Sequence, residues 1–176
     1  KQLIEHFVKD VRERYRKPLA TAPGAIEEDR LRQKMMIEIR KLHNSVTKFD
    51  GTKTGWDVSF LKGEFTHRNG EEMIVVKEDN AQNYYFFIND KLWKWYKAFK
   101  SEVFAGRPFG DFSAALEARY GRAAKKKGKL EGKSEERQWL EWRGKETRVR
   151  AIDENEFYGF YCLVFEDIDM LRRLST

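Results

Sequence analysis

The apolar residues of this chain change period once, and that change limits what it can fold into. Ahead of Asp50-Gly51 they recur every three or four positions, as on one face of a helix: Leu3, Ile4, Phe7, Val8, Val11 and Tyr15, then Leu31, Met35, Ile39, Leu42, Val46 and Phe49. Behind it, runs such as Met73 to Lys77 and Tyr84 to Ile88 have strand length and are rich in β-branched and aromatic residues. Helices therefore come first and an antiparallel sheet follows. This is the order of an α+β chain, not of alternating βαβ units.

Local punctuation sets the expected boundaries. Pro18 is expected to end the first helix, with Pro23-Gly24 as connector. Glu27, Glu28 and Asp29 suit the positive end of a second helix, expected to run about six turns to Phe49. Strands are expected over 58–65 (weakened by Gly63), 73–77, 84–88 and 91–99, with turns at Arg68-Asn69-Gly70 and Asn89-Asp90. Pro108 and Gly121 bracket a third helix carrying Phe109, Phe112, Leu116 and Tyr120. The Gly- and Lys-rich segment 121–135 reads as an exposed loop, and strands follow over 137–143, 146–152 and 157–165, with Arg143-Gly144-Lys145 turning the first hairpin. Asp167 is placed to cap a closing helix with Ile168, Leu171 and Leu174.

The predicted fold is α+β: antiparallel β-sheet meanders with helices packed on one face, in the order ααβββ(β)αβββα. Residues 1–24 are expected to form an N-terminal helix and connector. Residues 25–176 form one α+β domain, divisible into two helix-plus-meander halves at 25–100 and 107–176. No residue-by-residue repeat relates the halves. In element order alone the chain resembles small bacterial envelope lipoproteins and secreted inhibitor domains.

Composition supports a folded core. Of 176 residues, 36% are charged and only 40% hydrophobic, yet 14% are aromatic, and disordered chains lack such packing residues. No run reaches the roughly 20 apolar residues of a membrane-spanning helix. The lone cysteine, Cys162, excludes an internal disulfide framework and any cysteine-cluster zinc site; set in Phe160-Tyr161-Cys162-Leu163-Val164-Phe165, it reads as a small core residue. The start at Lys1 without Met fits a processed or trimmed chain, which leaves room for an upstream signal or anchor.

The net charge of +6 is unevenly spread. Much of the excess lies between Arg119 and Lys133, where only Glu131 opposes the cations, and residues 151–176 are net acidic. A basic stretch of this kind attracts phosphate, anionic lipid or an acidic partner, or it is a solvated segment that aids solubility.

The most unusual segment is Lys91-Leu92-Trp93-Lys94-Trp95-Tyr96-Lys97-Ala98-Phe99-Lys100, with a lysine at every third position between large rings. Cations for phosphates and rings for base stacking are the pairing that binds single-stranded nucleic acid. The same order fits a strand that buries its rings while its lysines reach water at the edge. Exposed rings beside the basic stretch would fit nucleic acid, an exposed apolar patch without cations would fit a protein partner, and buried rings would serve neither.

No cofactor or metal site is expected. His6, His43 and His67 stand in separate elements without ligand spacing, and the acidic runs at 153–156 and 166–169 read as a turn and a helix cap. Phosphate-loop, dinucleotide and nucleophile-elbow motifs are missing, and Gly106-Arg107-Pro108-Phe109-Gly110 reads as a turn. The leading expectation is a non-catalytic protein-binding or assembly domain in a bacterial cell-envelope or periplasmic setting, with Trp93, Trp95, Tyr96 and Trp142 as anchors. The alternative is a single-stranded nucleic-acid-binding module using Lys91, Lys94, Lys97 and Lys100 with Lys125, Lys126, Lys127 and Lys129.

Overall fold

Helices α1 (Gln2–Ala20) and α2 (Ala25–His43) form the first of two compact units, Lys1–Val46; the second is Thr47–Thr176. The computed structural model describes residues 2–48, 59–61, 63–65, 70–104, 106–130 and 134–174. A short connector makes α1 and α2 a helical hairpin. Glu38 ties them together, accepting from Arg14 at 2.9 Å and from the Tyr15 hydroxyl at 2.7 Å.

Two expected boundaries move here. Pro18 lies inside α1, because in a last turn it forfeits only its own bond; the Thr21 amide still donates to the Lys17 carbonyl at 3.1 Å. The second helix stops at His43, well short of Phe49. Ser45 turns both its amide (3.1 Å) and its hydroxyl (2.6 Å) back onto the Leu42 carbonyl, and Val46 enters the short strand β1 (Val46–Lys48). Phe49 lies outside the described residues.

The remaining strands are β2 (Glu72–Lys77), β3 (Ala81–Ile88), β4 (Lys91–Phe99), β5 (Ala124–Lys129), β6 (Glu136–Arg143), β7 (Thr147–Asp153) and β8 (Tyr161–Asp167). Helices α3 (Phe109–Tyr120) and α4 (Asn155–Tyr158) interrupt them, and α5 (Ile168–Leu174) follows β8. Among the described residues one sheet holds all the strands, in the order β1-β2-β3-β4-β8-β7-β6-β5. Two meanders thus run from opposite edges and meet where β4 pairs antiparallel with β8. The α+β class stands as expected, with helices ahead of an antiparallel sheet, while β5 and α4 are additions to the expected element order.

Several turns follow from local chemistry. Asn89 and Asp90 both adopt positive φ, 50° and 61°, which a two-residue β3–β4 hairpin requires and which these two side chains tolerate. Pro108 caps α3, and Gly121, at φ 85°, ends it. The Asp167 carboxylate accepts the Met170 amide at 2.8 Å, capping α5.

Three expectations are corrected. Residues 59–61 form a 3-10 turn, not part of a strand, and Gly63 at φ 84° reverses the chain behind it, so that the Glu64 amide meets the Leu61 carbonyl at 2.8 Å. Val58, His67 and the Arg68-Asn69 half of the predicted turn lie outside the described residues. The 121–135 segment is not a loop throughout, since β5 pairs with β6 from Ala124↔Glu141 to Lys129↔Glu136. The last predicted strand begins later, because Glu154 to Gly159 close a helical turn, with the Tyr158 amide on the Glu154 carbonyl at 2.8 Å and Gly159 left-handed.

The two sheet faces carry separate cores. On one, Phe112 and Leu116 of α3 pack with Phe104 and Tyr161 over Leu140, Val149, Ala151 and Leu163. On the other, Phe86, Tyr96, Met73, Ile152, Val164 and Cys162 are sealed beneath Leu61, Phe60 and Phe65, with Met170, Leu171 and Leu174 of α5 alongside. The segment around Leu61 is therefore a strap in the core rather than a surface connection. We predict that Leu61→Ala, at a position with 0% exposure, costs about 3 kcal/mol. Urea unfolding of the full chain checks this; an unchanged midpoint would place Leu61 outside the cooperative core.

Candidate functional site

Strand geometry decides the fate of the Lys/aromatic segment. Side chains alternate faces with period two, so lysines three apart fall on opposite faces wherever the strand is regular. β4 accordingly sends Lys94 to one face with Tyr96 and Ala98, and Lys97 to the other with Trp95 and Phe99. A bulge between Phe86 and Phe87 makes Trp93 the extra residue, and it joins the Phe86 core at 4% exposure beside Lys94. Its indole donates to Glu71 at 3.1 Å.

Of the rings proposed as anchors, Trp93, Tyr96 and Trp142 are core and Trp95 is partly buried. Trp93 and Tyr96 are buried. Trp95 is clamped between Tyr85 and Phe165, stacked at centroid distances of 5.7 and 4.8 Å, with its indole donating to the side-chain Oδ1 of Asn83 at 2.9 Å. Trp142 is 8% exposed, and its indole donates to the Gly121 carbonyl at 2.7 Å. Trp95 and Trp142 belong to one row across the sheet: Ile74, Tyr85, Trp95, Phe165, Val149, Trp142. Their first duty is cross-strand packing. Lys97 pairs with Glu78 at 3.2 Å, and Lys91 and Lys100 are exposed at the two ends of β4.

Lys94 is a buried charge. Its Nζ donates to Glu64 Oε2 at 2.7 Å and to the Glu64 carbonyl at 3.0 Å, and lies 3.4 Å from Glu166 Oε1. Arg150 Nη2 donates to both Glu64 oxygens (3.2 and 3.0 Å) and to Glu166 Oε1 at 2.8 Å. Glu166 Oε2 accepts from Arg150 Nε at 3.0 Å and from Arg148 Nε at 2.7 Å. All four carboxylate oxygens are therefore satisfied. Burial by itself would raise the Glu64 carboxyl, but the Arg150 and Lys94 charges prevail and hold it at about 2. Glu166 is held low by the same cations against the same opposing burial. Cys162 and Tyr96 sit in this core with their ionisation pushed up, chiefly by burial, so the thiol is inert packing.

The remaining sequence-predicted residues, Lys125, Lys126, Lys127 and Lys129, lie together on β5 at the open end of the sheet. Three anchors put the strand there. Gly121 ends α3 and gives its carbonyl to Trp142, and the Ala123 amide then donates to Glu117 of α3 at 3.0 Å. Leu130, 9% exposed, pins the far end in the core. Between these anchors Lys125, Lys127 and Lys129 share the face of Leu140 and Gln138, while Lys126 and Gly128 share that of Trp139 and Arg137. Between Arg119 and Lys129 there are six Lys/Arg and no acid.

A cleft of about 500 Å³ adjoins β5, lined by Lys125, Lys126, Trp139, Ser113, Glu156 and Phe157 among others. At its border the Arg137 guanidinium lies 3.7 Å from the centroid of the Phe157 ring, and its Nε is 3.8 Å from Glu154 Oε2. Phe157 is 47% exposed. Arg137, Trp139 and Phe157 carry no sequence signal for this role, because only the return of α4 against β6 brings them together. The Gly106–Gly110 turn borders a separate cleft of about 540 Å³, where the Tyr161 hydroxyl donates to the Arg107 carbonyl at 2.8 Å. Of the two described histidines, His6 lies 3.5 Å from Asp10, and exposed His43 closes α2.

We predict that Glu166→Gln costs about 3 kcal/mol, since it leaves buried cations short of a counter-charge. Glu64, held low in the fold, contributes stability that is complete above its ordinary value of 4.5 and lost as pH falls towards about 2. Urea titrations at neutral pH and near pH 3 check the sign: the native chain should lose more stability between them than Glu64→Gln does, and equal losses would count against the network.

No family model and no curated protein sequence matches the chain. Among solved structures it is similar to a cysteine-rich secretory protein from Staphylococcus aureus, at 10% identity and a TM-score of 0.32, over 59% of this chain and 37% of that one. The chain thus spans well under half the length of that protein.

Proposed function

We propose that this chain is a non-catalytic protein-binding or assembly domain, and that it works through the β5 edge rather than through the tryptophans of β4. One observation carries the reading: among the described residues a six-residue strand ends the sheet with an unpaired backbone edge, its residues exposed along nearly the whole length. Edge strands are ready templates for another chain, and folds usually shorten, bend or cover them. Here α3 and Leu130 hold the edge in place. The exposed Phe157 ring and the adjoining cleft give a partner apolar surface next to it.

Single-stranded nucleic acid is the second reading, favoured by the acid-free run from Arg119 to Lys129. The stacking half of that chemistry is weak, because Trp93 and Tyr96 are buried and Trp95 is already stacked on both sides. A cell-envelope setting belongs to the proposal through the helix-plus-meander order alone.

Photo-crosslinking in the native host tests the proposal, with a benzophenone side chain placed at Lys127 and, in parallel, at Lys91. Protein adducts concentrated at Lys127 are the expected result. Nucleic-acid adducts at Lys127 would transfer the assignment to the second reading, and protein adducts only at Lys91 would move the interface away from β5.

A further inference from the structure

We propose that the open edge of β5 takes an acidic, extended segment of a partner protein as an added antiparallel or parallel strand. This rests on the protein-binding reading and names the chemistry of the partner. Alternate backbone N–H and C=O groups of β5 point away from β6, as they must in a ladder paired on one side only. An incoming strand satisfies them, and its own side chains then fall in register with those of β5, about 5 Å away.

The side chains on β5 choose the occupant. Lys125, Lys127 and Lys129 line one face and Lys126 the other, so cations flank the edge on both sides. A strand with acids on both of its faces matches that distribution; a polyanion following one surface meets only part of it. The Lys127–Glu136 ion pair, at 3.2 Å with both groups more than half exposed, is of the kind worth little and readily exchanged. The same lysines repel a second copy of β5, so the edge is closed to self-pairing while open to an acidic strand.

Gly128 adds a specific position. It leaves the strand bare on the Lys126 face, and the Trp139 ring approaches to 3.8 Å of where a Cβ would stand. An apolar side chain opposite Gly128 rests on that ring. The expected ligand is therefore a short β-prone segment, acidic at most positions, with an apolar residue opposite Gly128.

The test uses the full chain and a synthetic peptide of glutamates around a single central Val, followed by amide hydrogen exchange and titration. The β5 amides that face away from β6 should gain protection, and Lys125→Glu with Lys127→Glu should weaken binding about tenfold, while Lys91→Glu leaves it unchanged. The same peptide N-methylated at alternate residues should not bind. Equal binding by the methylated peptide, or protection of β5 by oligothymidylate but not by the Glu/Val peptide, would overturn strand addition. If the peptide fails while crosslinks from Lys127 still reach protein, only strand addition falls; if those crosslinks vanish too, the protein-binding reading falls with it.

Discussion

Four charges buried where β4 meets β8 hold the two halves of the sheet in one register. Lys94 comes from one meander, Glu166 and Arg150 from the other, and Glu64 from the strap that crosses above them. Removing such groups from water costs several kcal/mol each, and their mutual attraction recovers it only when the geometry satisfies every donor and acceptor. A slip of one residue would turn Lys94 to the other face and leave both glutamates short of a cation. Hydrophobic residues in their place would tolerate such a slip far better. The network selects one arrangement more than it adds stability.

The aromatic rows follow from that register. With Lys94 opposite Glu166, Trp95 stands opposite Phe165 and Tyr85, and the three rings stack across three strands. The cation at Lys94 lies 4.5 Å from the Trp93 ring centroid, so even the bulge residue is seated by the same group. Among the described residues the sheet then ends in two edge strands, β1 on one side and the exposed β5 on the other.

Much of this was legible before any coordinates. Pro108 and Gly121 bracket α3, Asn89-Asp90 turns β3 into β4, and Asp167 caps α5, because each acts locally, through its own backbone or, for Asp167, its carboxylate, and needs no tertiary help. The misses share a cause. β5 buries almost nothing, so its residues show no apolar alternation, and pairing with β6 alone makes it a strand. The strap near Leu61 owes its place to Glu64 finding Arg150 across the fold, which no local pattern encodes. Lys94 was the instructive case: its period of three was visible, and a strand's period of two already separates it from Lys97. For the candidate site, the lysines of β5 stood out as a basic stretch; that they form an edge, with Arg137 and Phe157 beside it, depends on contacts between distant segments.

The separation between Glu64 and Arg150, 86 residues along the chain, bears on how the molecule is made. β2 to β4 and β5 to β8 are runs of local hairpins on short connections, whereas the ion cluster needs both meanders and the strap present together. During synthesis, β2 to β4 leave the ribosome with the edge of β4 unpaired and Lys94 still in water, and that edge waits for β8, which follows β5, β6 and β7 along the chain. For this interval the nascent chain exposes a row of rings beside an open strand, the surface on which holding chaperones act. Lys94 on one side of β4 and Lys97 on the other supply the charge that discourages premature pairing with another copy.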